Sequence, residues 1–173
     1  MRHVRRRGRY LRVADPHWID PLDGRYAAQH GGRWNAPGRF PVVYLTRGLP
    51  GARAYVRKKF EGRPYGPELL APTDAPVLVE TDLPDDRYVD VVSAAGCQAV
   101  GLPKTYPLDV VGEPLPWSRC QPIGQRAWDA GELGIACRSA LGRAAGEELA
   151  WFQREGRARL PMRRRLPFEE WYW

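Results

Sequence analysis

The sequence predicts an α+β fold in a single domain, with short strands, few helices and long loops. Its 173 residues, of which 43% are hydrophobic, suffice for one well-packed core and are too few for two. Short apolar runs bounded by turn-forming residues recur along the chain and are typical of strands. The 18 glycines and 17 prolines are spread over the whole length without an internal repeat, which indicates long connections.

The first predicted strand covers residues 10–14, in which successive side chains alternate between the two faces of a sheet. Arg12 then points away from Leu11 and Val13, so it is either a charge on the sheet surface or a side chain that faces a cleft. The apolar run at residues 42–46 predicts the second strand. Both strands belong to the predicted sheet.

A helix is predicted over residues 50–60, because proline is favoured in the first turn of a helix. Ala52, Tyr55, Val56 and Phe60 recur at helical spacing and form one apolar stripe. By this pattern Tyr55 is a core residue, but a role in a functional site is an equal alternative.

The sequence after residue 60 predicts four further strands and one more helix. The helix covers residues 123–130 and ends at Gly131, where glycine can adopt the left-handed capping conformation. The proline-rich stretch 96–124 predicts an ordered but irregular connection, with Trp117 as an anchor on the core. The predicted strands are residues 76–83, 88–92, 135–139 and 149–152.

Several protein classes are excluded by composition. No segment approaches the roughly 18 consecutive apolar residues of a membrane helix, and no secretory signal is present, so the cytoplasm is the expected location. Cys97, Cys120 and Cys137 form an odd set without Cys-x-x-Cys spacing, which indicates reduced thiols. The three histidines are scattered, and no metal site is predicted.

The formal net charge of +7 is concentrated in arginines near the two ends of the chain. These ends either bind a nucleic-acid backbone weakly and without sequence selectivity, form solvated tails, or meet an acidic protein partner. We therefore divide the chain into a basic N-terminal arm (1–9), a folded domain (10–155) and a basic, then aromatic, C-terminal segment (156–173). The aromatic end is expected to dock on the domain or on a partner, because exposed apolar area costs about 25 cal/mol per Å².

The run Gly31-Gly32-Arg33-Trp34-Asn35 precedes the second strand and suits an anion-binding loop. Consecutive glycines allow a close approach of the backbone, and a guanidinium can grip a phosphate with two parallel hydrogen bonds. This combination suits a nucleotide diphosphate. The alternative is an ordinary turn in which Arg33 is a solvated charge. Trp34 and Asn35 are expected to hold the loop in place.

Five segments of the chain follow one another in a recognisable order: residues 10–14, 31–35, 43–45, 134–140 and 148–152. In this order they resemble the RES-domain family, over about residues 9–155. The family is named after a motif arginine, glutamate and serine, and its characterised members are bacterial toxins that break down NAD, several of them by phosphorolysis. The resemblance implies an ADP-ribosyltransferase-like mixed β-sheet core.

The resemblance also implies roles for individual residues. Arg33 and Arg12 would hold the pyrophosphate of NAD or a phosphate co-substrate. Tyr44 would flank the nicotinamide or its ribose, although its apolar strand neighbours suit a core residue equally well. Ser139 would hydrogen-bond the ribose or the carboxamide of nicotinamide. No metal is implied, and NAD is the substrate, with inorganic phosphate or water as the acceptor.

One position departs from the family pattern. The motif glutamate is expected on the first predicted helix, and Tyr55 stands at that position. A carboxylate there would stabilise the cationic sugar that forms as nicotinamide leaves, and a phenol lacks that charge at neutral pH. Glu61 and Glu68 are nearby, but neither has the matching spacing.

The function implied is therefore binding of NAD and cleavage of its N-glycosidic bond with release of nicotinamide, in a toxin of a toxin–antitoxin pair. The missing glutamate leaves two alternatives, a catalytically degenerate nucleotide-binding module and an ADP-ribosyltransferase. An antitoxin of the Xre type is the partner that the family implies, and its end would enter the cleft. The sequence leaves a homo-oligomer open.

Overall fold

The computed structural model describes all 173 residues and contains six strands and four α-helices. The strands are β1 (His3–Ala14), β2 (Val42–Thr46), β3 (Val77–Val91), β4 (Gly134–Arg138), β5 (Glu147–Phe152) and β6 (Met162–Leu166). The helices are α1 (Arg25–His30), α2 (Leu49–Phe60), α3 (Ala94–Ala99) and α4 (Trp117–Asp129).

All six strands belong to one sheet in the order β1-β2-β5-β4-β3-β6. An additional pairing between β1 and β3 joins the two sides, so that five of the strands follow one another in a nearly closed ring. The β3–β4 pair is parallel and the other pairs are antiparallel. The predicted α+β class with a mixed sheet is thereby confirmed.

Successive side chains of a strand point to opposite faces of the sheet, so the buried apolar residues form separate clusters on the two faces. In β2, Val43 and Leu45 pack in one buried cluster with Tyr10 and Trp151, whereas Val42 packs in another. The second cluster includes apolar side chains of α3 and α4. Apolar side chains are therefore packed against both faces of β2, the strand that carries Tyr44.

Helix α2 and the C-terminal segment form a third buried cluster. Ala52, Val56 and Phe60 face the sheet and pack with Phe168 and Trp171, which are both buried. The aromatic end of the chain thus covers the apolar stripe of α2. Tyr55 does not join the stripe, because its side chain is half-exposed on another side of the helix.

Strands β1 and β3 are longer than predicted. Residues 3–9, which we assigned to a basic arm, form the first half of β1 and pair with β3. The two strands predicted at 76–83 and 88–92 are the single strand β3. The turn signal of Pro84 and its acidic neighbours is overridden because β1 supplies a partner along almost the whole strand, with one register shift between Arg6 and Gly8.

Two helices and one strand also differ from the prediction. Helix α4 begins at Trp117 rather than at residue 123, and it accommodates Pro122 in its interior. The stretch 96–124 is thus helical at both ends. Helix α1 and strand β6 were not predicted, because α1 is only one and a half turns long and β6 is almost fully exposed and lacks an apolar pattern.

The arginines near the chain ends lie opposite carboxylates of β3. Arg5 Nε is 2.8 Å from Asp85 Oδ1, and Arg163 Nε is 2.8 Å from Asp82 Oδ2. Arg9 lies 3.8 Å from Glu80. Much of the charge at the ends is therefore compensated within the fold, and nucleic-acid binding through it stays a prediction.

The structure also describes the cysteines and the helix lengths. Cys97, Cys120 and Cys137 are unpaired and buried. None of the helices combines the length and the apolar character that would be needed to cross a membrane.

Candidate functional site

A cavity of about 450 Å³ lies between β1, β2, α1 and α2. Cavities of this size are typical of small-molecule and cofactor sites. Its lining is mainly apolar and aromatic, with a few polar side chains. Six residues that we predicted from the sequence line it: Arg12, Gly31, Gly32, Arg33, Tyr44 and Tyr55.

The glycine loop follows α1 and is shaped by its two glycines. Gly31 has a φ of 76°, in the left-handed region that favours glycine, and it ends the helix. Gly32 lies against Tyr44, since a Cβ at position 32 would come within 2.5 Å of the phenol oxygen. The loop can therefore pass over β2 only because this position lacks a side chain.

Tyr44 ties the glycine loop to β2. Its hydroxyl donates to Asn35 Oδ1 at 2.7 Å and accepts from the Trp34 backbone N–H at 2.9 Å. Asn35 in turn donates to the carbonyl of Ala27 at 2.6 Å. Trp34 and Asn35 are buried and hold the loop. Burial also raises the pKa of the Tyr44 phenol. Tyr44 is thus neutral and has both of its hydroxyl interactions satisfied by the protein.

Two guanidinium groups face the cavity without a carboxylate partner. Arg33 Nη1 donates to the carbonyl of Leu115 at 3.3 Å, and Arg12 Nη1 donates to the carbonyl of Asp23 at 3.2 Å. Neither arginine forms an ion pair. Free guanidinium donors in a confined space are typical of a site for phosphate or carboxylate.

Arg12 is the more deeply buried of these two arginines. Its side chain is only 7% exposed, and its guanidinium carbon lies 5.2 Å from the ring centroid of Trp18. Burial lowers the pKa of Arg12 to about 10, against the smaller opposing effects of Tyr55, Asp20 and Asp23. The group remains charged at neutral pH, and an anion in the cavity would offset the cost of burying it.

Aromatic side chains surround the opening of the cavity. Tyr26 lies between Trp18, at a centroid distance of 5.1 Å, and His30, on which it stacks at 4.2 Å. Trp117 also lines the cavity and is half-exposed, which corrects our expectation of an anchor on the core. Half-exposed rings of this kind are typical of surfaces that stack on bases or other planar groups.

Tyr55 contributes its ring from α2. It is 50% exposed, and burial of its hydroxyl raises the pKa of the phenol while the positive charge of Arg12 acts in the opposite direction. Tyr55 is therefore a neutral group beside Arg12. Glu61 and Glu68 do not line the cavity and are exposed on the surface, and Glu61 pairs with Lys58.

Ser139 lies behind the cavity wall and reaches the cavity through Glu148. Its hydroxyl donates to Glu148 Oε1 at 2.5 Å and accepts from the Leu141 backbone N–H at 3.1 Å. Glu148 lines the cavity from β5, directly opposite Thr46 on β2. The Thr46 hydroxyl is buried and has no hydrogen-bond partner.

Neither Glu148 nor Thr46 was predicted from the sequence as a site residue. The alternation of side chains along a strand could have indicated them, because Tyr44 and Thr46 lie on the same face of β2. Their partners on β5, Ala150 and Glu148, lie on that face too. Using this signal required the register between the two strands. No group of three or more His, Cys, Asp or Glu side chains lies close enough together to bind a metal ion.

Comparison with known proteins identifies relatives for most of the chain. NAD(+) phosphorylase MbcT from Mycobacterium tuberculosis and from Mycobacterium bovis is 30% identical over 124 residues, which are 71% of this chain and 63% of each relative. The chain therefore matches somewhat less than two thirds of the length of these relatives.

The fold and the family agree with the resemblance predicted from the sequence. A solved structure, the M. tuberculosis MbcT-MbcA toxin-antitoxin complex, contains a similar fold, with a TM-score of 0.79 and 24% identity over 98% of this chain and 91% of that chain. The RES domain family matches residues 9–169, beyond the stretch 9–155 that we assigned. This chain is therefore a member of the RES-domain family.

Proposed function

We propose that this chain binds NAD in the cavity and cleaves the bond between nicotinamide and ribose, with inorganic phosphate as the acceptor and water as the alternative. The observation that carries the proposal is the pair of guanidinium groups of Arg12 and Arg33, which face the cavity without a carboxylate partner. A pyrophosphate supplies the negative charge that such a pair lacks. Membership of the RES-domain family and the 30% identity to NAD(+) phosphorylases support it.

The binding mode follows from the chemistry of the lining. Arg12 and Arg33 contact the pyrophosphate or the incoming phosphate, and Gly31 and Gly32 shape the loop that carries Arg33 along the cavity. Tyr44 acts mainly by holding the loop, because its hydroxyl is already bonded to Trp34 and Asn35. The half-exposed rings at the opening stack on the planar rings of the dinucleotide. These half-exposed rings are those of Tyr26, Tyr55 and Trp117.

Cleavage in this site needs little covalent chemistry from the protein. The bond from the anomeric carbon to the nicotinamide nitrogen breaks, and its electron pair leaves with neutral nicotinamide. The ribose then carries positive charge until an oxygen of phosphate or water forms a new bond to the same carbon. The protein holds the ribose and the acceptor in line and excludes other nucleophiles.

The proposal extends to a partner and a compartment. MbcT is found in a toxin–antitoxin complex, and we propose that this chain is likewise a toxin bound by an antitoxin, of the Xre type, that occupies the cavity. The half-exposed aromatic rings around the opening suit such a contact. The three buried, unpaired cysteines suit a reducing compartment such as the cytoplasm. A homo-oligomer stays an open prediction.

The proposed activity is tested by measuring NAD loss and nicotinamide release by the purified protein, with and without inorganic phosphate. We expect release that depends on phosphate and that falls at least 100-fold in the Arg33→Ala variant, since a charge-assisted contact to the pyrophosphate is lost (about 2 to 3 kcal/mol). Arg163→Ala is the matched control, because Arg163 is an exposed arginine of β6 that pairs with Asp82 and does not line the cavity.

The other outcomes separate the alternatives. Release that is independent of phosphate would assign a glycohydrolase. Transfer of ADP-ribose to protein would assign an ADP-ribosyltransferase. Binding of NAD without release would leave a degenerate binding module, which is the reading that Tyr55 at the glutamate position favours.

A further inference from the structure

One carboxylate lines the cavity, and it is not at the position of the family motif. Glu148 is the only Asp or Glu among the lining residues, and it comes from β5 rather than from α2. At the motif position α2 carries Tyr55, which is neutral. A site that develops positive charge on a ribose therefore has one source of fixed negative charge within its walls, Glu148.

The Glu148 side chain is held in one orientation. Ser139 donates to Oε1 at 2.5 Å, and Ser139 is itself fixed by the backbone N–H of Leu141. Oε2 has no hydrogen-bond partner within the protein. One carboxylate oxygen is thus occupied by the protein and the other is free for a group in the cavity.

A second polar group beside Glu148 also lacks a partner. Thr46 pairs with Glu148 across β2 and β5, and its buried hydroxyl makes no hydrogen bond. Buried hydroxyls are almost always hydrogen-bonded, so this one is an exception beside Glu148. Gly51 packs directly on this hydroxyl, since a Cβ there would lie 1.9 Å from Thr46 Oγ1. The absence of a side chain at position 51 lets α2 lie directly on this hydroxyl, which is therefore shielded from the cavity.

The surroundings of Glu148 act on its pKa in both directions and raise it overall. Burial raises the pKa of its carboxyl, whereas the hydrogen bond from Ser139 and the positive charge of Arg33 act in the opposite direction. Ser139 and Arg33 therefore both favour the ionised form. They are also two of the residues that the family resemblance singled out.

We propose that Glu148 supplies the catalytic carboxylate of this site in place of the motif glutamate. This role rests on the proposed cleavage of NAD. Glu148 Oε2 accepts a hydrogen bond from a hydroxyl of the nicotinamide ribose. Ser139 is a positioning residue, which acts by orienting Glu148.

The step that Glu148 assists transfers no proton to Glu148, and its charges balance. The glycosidic bond breaks and its electron pair neutralises the pyridinium nitrogen of nicotinamide. The positive charge passes to the ribose ring, where the Glu148 carboxylate stabilises it. An oxygen of hydrogen phosphate then forms the new bond to the anomeric carbon and yields ADP-ribose 1″-phosphate; with water, the products are ADP-ribose and a proton.

The test compares steady-state kinetics of nicotinamide release for the wild-type chain and Glu148→Gln, which keeps the shape and removes the charge. We expect kcat to fall about 100-fold or more, as for the loss of one group that stabilises charge in a transition state. KM for NAD is expected to stay within about threefold, because the carboxylate acts mainly after substrate has bound. Glu61→Gln and Glu68→Gln are the matched controls, and both should keep wild-type kcat.

A pH profile distinguishes a positioning role of Ser139 from a structural one. In the wild type, kcat should fall at acid pH as Glu148 becomes protonated, and this acidic limb should vanish in Glu148→Gln. Ser139→Ala removes the hydrogen bond that lowers the pKa of Glu148, so the acidic limb should move to higher pH. Binding of NAD and thermal melting of each variant report whether the fold is retained.

The outcomes separate this role from the proposed function. A folded Glu148→Gln variant with wild-type kcat would overturn the role of Glu148 while NAD cleavage stands. A wild-type chain that releases no nicotinamide would overturn the proposed function and this role with it. Loss of activity in Glu61→Gln or Glu68→Gln instead of Glu148→Gln would assign the carboxylate to the segment that follows α2.

Discussion

The arginines of this protein have different partners in two regions of the molecule. On the outer surface of β1 and β6, Arg5 and Arg163 are exposed and each is bonded to an aspartate of β3. In the cavity, Arg12 and Arg33 are enclosed and have backbone carbonyls as their only hydrogen-bond partners. The fold thus compensates positive charge where water already screens it and leaves it uncompensated where a ligand anion can enter.

This contrast has a physical explanation. An exposed ion pair contributes little to stability, because water and salt weaken it. A buried charge without a partner costs free energy in the absence of a ligand, so it is retained where binding repays that cost. The comparison therefore predicts different responses to the same kind of substitution in the two regions.

The largest expected effect is on ligand affinity. Arg33→Ala should weaken NAD binding about 100-fold, or about 2.7 kcal/mol, because a charge-assisted contact is lost from a confined site. Arg5→Ala on the outer surface should leave the affinity unchanged. Isothermal titration with NAD measures both, and equal losses in the two variants would contradict the distinction between the regions.

The second effect is a gain in stability on removing the buried charge. Arg12→Met should raise the free energy of unfolding of the ligand-free protein by about 1 to 3 kcal/mol near neutral pH, because an unpaired guanidinium leaves the interior. The same variant should bind NAD more weakly. Chemical denaturation, with and without NAD, measures both changes, and a destabilised ligand-free variant would show that Arg12 is structural.

The pH dependence of the Arg12 contribution has a defined sign. The folded pKa of about 10 lies below the ordinary value of 12.5, so the folded state binds fewer protons than the unfolded state between these values. The cost of burying the charge is therefore fully present below pH 10 and diminishes as the pH rises through this window. The stability advantage of Arg12→Met should shrink correspondingly above about pH 10.

The smallest effect is expected on the outer surface. Arg163→Ala removes the exposed contact with Asp82 and should change the free energy of unfolding by less than about 1 kcal/mol. The difference should decrease further at high salt, because exposed pairs are screened. A larger, salt-independent loss in thermal or chemical unfolding would mean that the β3–β6 pairing depends on this contact.

Much of the fold was predictable because its signals are local. The strands around Tyr44 and Ile135 and the helix that begins near Pro50 were recognised from apolar periodicity and turn residues. The single strand β3 was not, since Pro84 and the aspartates after it form a strong local turn signal. Its continuity depends on β1, which lies more than sixty residues earlier in the chain.

The same division applies to the candidate site. The glycine-arginine loop is a contiguous run, and Arg12, Tyr44 and Tyr55 were found from the order of family segments. Glu148 and Thr46 became visible as a pair only in the register of β2 with β5. Single-sequence patterns carry no register between distant strands, and this is why the cavity carboxylate was sought on α2, near Tyr55.

By itself, the sequence determined the α+β class and the membership of the RES-domain family, and it predicted the glycine-arginine loop and the substitution of Tyr55 for the motif glutamate. These properties depend on residue types at short spacing, where backbone geometry is the main constraint. Only the tertiary structure decided which arginines are paired and which carboxylate faces the cavity. Such contacts join side chains distant in the sequence, so they depend on strand register and on burial across the whole sheet.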